Sequence, residues 1–131
     1  MSLNSKNSPF EICEWKLNVR TLSEANLTGE HWSKKHKRHM VQKTLIRLFF
    51  AKEKPKVELP CIVVLTRVAP RTMDSDNLSS SFKWIRDTIG AELTGIIRAG
   101  MGDGDSRITW HYEQEKGNPK EYAIKIQFIP A

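Results

Sequence analysis

The residues best suited to chemistry are four aspartates in two short clusters, Asp74-Ser75-Asp76-Asn77 and Asp103-Gly104-Asp105. Two carboxylates about 4 Å apart repel by about 4 kcal/mol at an effective dielectric near 20. Protonation, water or a divalent cation relieves that cost. The chain around them is basic, with 21 Lys and Arg against 15 Asp and Glu and a net charge of +6. Acids gathered inside a cationic chain suggest a metal-dependent enzyme acting on a polyanion. Mg²⁺, or Mn²⁺ in its place, takes a few carboxylates together with waters and substrate phosphate oxygens. A paired metal site would clamp the attacking and leaving oxygens of a phosphodiester. Each cluster also has a plain structural reading: Asp74 or Asp76 as a helix cap, and Asp103-Gly104-Asp105 as a turn.

The densest positive patch is His31-Trp32-Ser33-Lys34-Lys35-His36-Lys37-Arg38-His39. On a helix, Lys34 and Arg38 share a side, as do Lys35 and His39. Lys34, Lys35, Lys37 and Arg38 suit sequence-independent contact with a phosphate backbone; the alternative is a solvated helix face. Arg67, Arg71, Arg98 and Arg107 lie near the acid clusters in sequence and would add phosphate contacts. Trp32 has the chemistry to stack on an exposed base, but the expectation is burial in the core.

These residues must be positioned by one small α+β domain spanning 1–131, with a mixed β-sheet, two main helices and the order β-α-β-α-β-β. Residues 1–9 carry no pattern and are expected to be flexible. The stretch from Phe10 to Arg20 alternates through Cys13, Trp15, Leu17 and Val19 and reads as a strand. His31 to Phe50 lacks Pro and Gly and reads as a helix, with Val41, Leu45, Leu48 and Phe49 facing the core. The run from Cys61 to Val68 is apolar and β-branched, as in a central strand buried on both faces. A second helix opens near Asn77 on the stripe Leu78, Phe82, Ile85 and Ile89, and runs to Ile89 or Leu93. Alternation from Arg107 to Glu115 and from Tyr122 to Phe128, around Lys116-Gly117-Asn118-Pro119, reads as a C-terminal hairpin. On this plan both acid clusters converge at one end of the sheet. Asp76, Ser80, Lys83 and Asp87 share the helix face opposite the apolar stripe, so the Lys83 ammonium is expected to approach the acids.

Several classes are excluded. No apolar run reaches the roughly 18 residues of a membrane span, and no leader pattern opens the sequence, so no membrane partner and a cytoplasmic address are expected. Cys13 and Cys61 are isolated and read as buried free thiols. An EF-hand starting at Asp103 fails at Arg107 and Gln114. Zinc-ligand spacing, Walker loop, GxGxxG and GxSxG motifs are absent.

The strand CIVVLTRVAP, the motif Asp74-x-Asp76-Asn77-Leu78 opening a helix, and Asp105-x-x-Ile108 opening the next strand together resemble the RusA family of Holliday-junction resolvases. The order of elements fits over residues 10 to 129, and Asn26 corresponds to an asparagine the family carries after its first strand. The resemblance implies a homodimeric, Mg²⁺-dependent endonuclease cutting branched DNA, often phage- or prophage-encoded. It makes Asp74, Asp76 and Asp105 the metal-binding catalytic carboxylates, with Asp103 an additional acid. The family's lysine four residues after the second motif aspartate is Ser80 here, and Lys83, one turn on, is the expected substitute. The stretch from Thr94 to Gly102 is long for the family's connecting loop. The alternative is a basic nucleic-acid-binding protein of the same fold that does not cleave.

Overall fold

A computed structural model of the chain describes residues 13–23, 32–95, 102 and 104–131, with the backbone alone at Cys13. Asn26, Arg98, Asp103 and the first nine residues lie outside the described residues. The elements are β1 (Cys13–Leu17), α1 (Trp32–Glu53), β2 (Cys61–Ala69), α2 (Ser75–Ser81), α3 (Lys83–Thr94), β3 (Ile108–Lys116) and β4 (Ala123–Pro130). This is an α+β fold on one mixed sheet, as the sequence patterns require. No helix among the described residues is long and apolar enough to cross a membrane.

The four strands lie in the order β1-β4-β2-β3. β2 is central, antiparallel to β4 from Cys61↔Pro130 to Val68↔Ala123 and parallel to β3 from Cys61↔Ile108 to Ala69↔Lys116. β1 closes the far side, antiparallel to β4. The C-terminal hairpin is therefore not formed: β3 and β4 are consecutive, but β2 lies between them. Alternation reports which face a side chain takes, not which strand is its neighbour. The helical connection from β2 to β3 makes a β-α-β unit, whose strands run parallel.

One face of the sheet carries the core. Trp15, Leu17, Val63, Leu65, Ile124, Ile126 and Phe128 from the strands meet Ile46 of α1 and Leu78, Ile85 and Ile89 of α2 and α3. Cys61 is fully buried, and that burial pushes its thiol up to about 11, so it packs as an inert small hydrophobe. In β2, Cys61, Val63 and Leu65 are buried while Ile62, Val64 and Thr66 are only half-buried. The strand is central, and burial on both faces is reached only at its end, where Arg67, Val68 and Ala69 are all buried; over Cys61 to Thr66 the core helices cover one face.

α1 is turned relative to the expected orientation. Gln42 and Ile46 are buried, with Leu45, Phe49 and Phe50 packed against the core. Phe49 and Phe50 both meet the Trp15 ring, at centroid distances of 5.3 and 5.2 Å. Val41 and Leu48, expected inside, are 53% and 58% exposed, and Trp32 is 71% exposed rather than in the core. Apolar residues occupy more of this helix than the sheet can cover, so the stripe alone could not select the buried arc.

The second helix is broken. Its apolar stripe is buried as expected, Leu78, Phe82, Ile85 and Ile89 being at most 5% exposed. Phe82 nevertheless leaves helical geometry between α2 and α3. Ser79 and Ser81 donate their hydroxyls to the Asp76 and Leu78 carbonyls, at 3.1 and 2.7 Å. Such back-bonding competes with the helix ladder, and three consecutive serines concentrate it here.

Candidate functional site

The chain leaving β2 is fixed before it reaches the first aspartate. Gln114 of β3 accepts from the Met73 amide at 2.8 Å and donates to the Met73 carbonyl at 2.7 Å. Arg67, buried at the end of β2, donates to the Arg71 carbonyl at 2.7 Å. Burial, and after it the neighbouring Arg20 guanidinium, lower the Arg67 pKa. Arg71 itself is exposed at the turn.

Asp74 is the N-cap of α2. Its Oδ1 accepts from the Asn77 amide at 2.9 Å and its Oδ2 from Asn77 Nδ2 at 3.0 Å. The Asn77 side-chain oxygen in turn accepts from the Ser23 hydroxyl on the chain beyond β1. The capping reading therefore holds for Asp74. Asp76, two residues on, is exposed, and its carboxylate has no hydrogen-bond or ion-pair partner among the described residues. A carboxylate has about four acceptor positions, so the capping bonds leave Asp74 with capacity for a further donor or a cation.

The second cluster is elsewhere. The Cys61 amide donates to the Arg107 carbonyl at 2.9 Å, which places the turn before β3 beside the start of β2. Asp74 and Asp76 follow the end of β2. Asp105 thus lies at the opposite end of the sheet from Asp74 and Asp76, about 26 Å away by the rise of a nine-residue strand. Convergence at one end is overturned by the parallel register. Among the described residues, no group of three or more His, Cys, Asp or Glu could hold a metal ion.

Asp105 is also engaged locally. It accepts from the Arg107 amide and Nε at 2.9 and 3.0 Å through Oδ1, and from a terminal guanidinium nitrogen at 2.8 Å through Oδ2. This fork holds the Asp105 carboxyl down at about 2 and raises the Arg107 pKa. Arg107, expected to meet phosphate, binds its own chain. The turn is seated on α3: a Cβ on Gly102 would come within 2.6 Å of the Gly90 carbonyl carbon. Only glycine permits that approach.

The Lys83 ammonium lies over the Trp84 ring, 4.8 Å from its centroid, and no ion pair joins it to an acid among the described residues. Lys34, Lys35 and Lys37 are exposed on the first turns of α1, and Arg38 is half-buried. Beside them α1 packs on α3, with the His39 and Trp84 rings 3.4 Å apart.

Gln114, Asn77 and Ser23 were missed as supports of the Asp74 turn. The only sequence signal was Asn77 within the Asp-x-Asp-Asn motif; contacts spanning 41 and 54 residues have no local signature. Comparison with family models and with curated proteins finds no match.

Proposed function

We propose that this protein is a metal-dependent endonuclease of the RusA type that acts on branched DNA. The observation carrying the reading is the exposed Asp76 carboxylate, which has no partner among the described residues and sits beside Asp74 on a turn braced from three other segments of the chain. Two carboxylates completed by water and phosphate oxygens fit the habits of Mg²⁺ or Mn²⁺. Bound there, the ion would supply charge neutralisation and an acidified water for phosphodiester hydrolysis. Asp74 and Asp76 would hold it, Gln114 and Asn77 would keep the turn in place, and the α1 cations would hold the DNA backbone. Lys83 is placed to act on the substrate only by leaving Trp84.

A centre that also used Asp105 would draw it from a second copy, since within one chain the distance is prohibitive. The homodimer proposal then has specific content. If Asp105 serves a partner copy in this way, Asp76→Asn and Asp105→Asn are each inactive alone and regain activity when mixed; if the fork with Arg107 keeps Asp105 out of the centre, Asp105→Asn cleaves as the wild type does.

The deciding experiment compares a synthetic four-way junction with matched linear duplex, in Mg²⁺ or Mn²⁺ and in EDTA, for wild type and Asp76→Asn. Paired, metal-dependent nicks in the junction that vanish in the variant support the reading. Equal cleavage by the variant would sink it. The second reading, a DNA-binding protein without cleavage, is favoured by the Asp105–Arg107 fork and by Ser80 at the family's lysine position. It predicts salt-sensitive junction binding that is indifferent to EDTA.

A further inference from the structure

One helix carries the whole net charge of the protein. α1 holds seven Lys and Arg against one Glu, which equals the net +6 of the chain. The remaining fourteen cations and fourteen anions cancel. Over 22 residues the helix spans about 33 Å, much longer than a single nucleotide. A field of that length and sign fits an extended polyanion.

The helix also bounds a recess. Between its first turns and the chain leaving β1 lies a groove of about 450 Å³, within the range of ligand-holding clefts. Val19, Val41 and Leu45 give it an apolar floor, and Arg20, Lys34, Lys37 and Arg38 line it as well. No acid lines it among the described residues. A duplex backbone would need only the cations; the apolar floor beneath them calls for a flat, poorly hydrated group attached to the phosphates.

Gln42 adds an independent observation. It lines the same groove, is only 2% exposed, and neither its Nε2 nor its Oε1 has a partner among the described residues. Thr21, next to Arg20, is equally buried with its hydroxyl unpartnered. Each such group costs about 1–3 kcal/mol. Gln42, on the wall of the recess, marks a place where polar groups are kept at the expense of stability.

We propose that this groove holds an unpaired nucleotide of a nucleic-acid strand. The base lies against Val19, Val41 and Leu45, and the flanking phosphates lie on Lys34, Lys37 and Arg38. Unstacked bases occur at branch points and single-stranded ends, and proteins take them on apolar or aromatic surfaces inside cationic grooves. The inference deepens the proposed function by naming the part of a branched substrate that is recognised, and it rests on the nucleic-acid half of that reading, not on cleavage.

The test is fluorescence anisotropy with the full chain in EDTA. The probes are a twelve-nucleotide oligo-dT, a strand of equal length made of abasic sites, and a duplex of the same length. Oligo-dT should bind at least ten-fold more tightly than the abasic strand and more tightly than the duplex. Val41→Ser, at an exposed position that leaves the fold intact, should weaken oligo-dT several-fold without changing its salt dependence. Lys34→Ala/Lys37→Ala should instead reduce the slope of log K against log salt by about 1.4, or about 0.7 per phosphate contact on a single strand. Equal binding of the abasic strand would overturn the base site. So would duplex binding as tightly as oligo-dT, or poly-glutamate displacing oligo-dT as well as a nucleic acid does, the latter assigning the groove to an acidic protein. Because no metal is present, absence of cleavage leaves this inference standing. Junction cleavage without single-strand preference would overturn it and leave the endonuclease intact.

Discussion

The two aspartate turns look alike in sequence and are built in opposite ways. The turn at Asp74 is supported from outside, by Gln114 on Met73, Arg67 on Arg71 and Ser23 on Asn77. The turn at Asp105 supports itself, its carboxylate taking the amide, Nε and a terminal nitrogen of Arg107 two residues away. A turn braced by remote elements can leave an acid unspent, and Asp76 is that acid. A turn braced by its own acid uses it up. Residue type and spacing nominate both clusters, but only the source of the bracing separates them.

The largest effect that bears on this contrast is loss of cleavage. Asp76→Asn should reduce junction cleavage at least about 100-fold, equivalent to about 2.7 kcal/mol of transition-state stabilisation. Its unfolding midpoint should stay at the wild-type value, because the carboxylate supports no described contact. An equal loss in Asp105→Asn would break the comparison, since the second turn's acid would then also serve the substrate, from another copy of the chain.

Next in size is removal of the bracing. Gln114→Leu strips partners from both the amide and the carbonyl of Met73. Leaving two part-buried backbone groups unpaired should cost about 2 kcal/mol in denaturant unfolding. Cleavage should fall together with stability, although Gln114 touches no substrate. Gln114→Glu keeps the bond from the Met73 amide and loses only the one to its carbonyl, so it should fall between the two. If Gln114→Leu unfolds at the wild-type midpoint, the turn does not depend on β3 for its position.

The elements themselves were legible, and the assembly was only partly so. Alternation located the strands, and the stripe from Leu78 to Ile89 identified the buried side of α2 and α3. The rotation of α1 was not readable, because Val41 and Leu48 are as apolar as the residues that bury; the buried arc is fixed by Trp15, which Phe49 and Phe50 meet. The site was misplaced for a topological reason. Reading β3 and β4 as a hairpin left both acid clusters free to meet. The strand-helix-strand order from β2 to β3 already implied a parallel pair, and with it opposite ends for Asp76 and Asp105. Gln42 was hidden more deeply, since a glutamine in a cationic helix gives no hint that it is buried without a partner among the described residues.

A smaller effect concerns Asn77. Asn77→Ala deletes the donor to Asp74 Oδ2 and the acceptor for Ser23, while Asp74 still caps the helix through the residue 77 amide. About 1 kcal/mol of stability should be lost. Cleavage should fall further than that cost alone implies, because the Asp74 carboxylate is freed to rotate. If activity is unchanged, Asn77 is a folding residue only.

The smallest effect is a titration, and it probes the self-supported turn alone. The Arg107 hydrogen bonds hold the Asp105 carboxyl at about 2, below its ordinary 3.8. A carboxyl whose folded pKa is depressed contributes stability that is complete above its unfolded pKa and is lost as pH falls through the folded value. The contribution of Asp105 should therefore be intact above about pH 4 and disappear between about pH 4 and pH 2. Asp105→Asn cannot titrate, so the difference between wild-type and variant urea midpoints should shrink over that window and be flat above it. Other carboxylates, including Glu115 held down by Lys125, move both curves and cancel in the difference. A difference that stays constant down to pH 2 would mean that the fork with Arg107 does not form in solution. Asp105 would then be as available as Asp76, and the contrast between the two turns would fail at its weaker side.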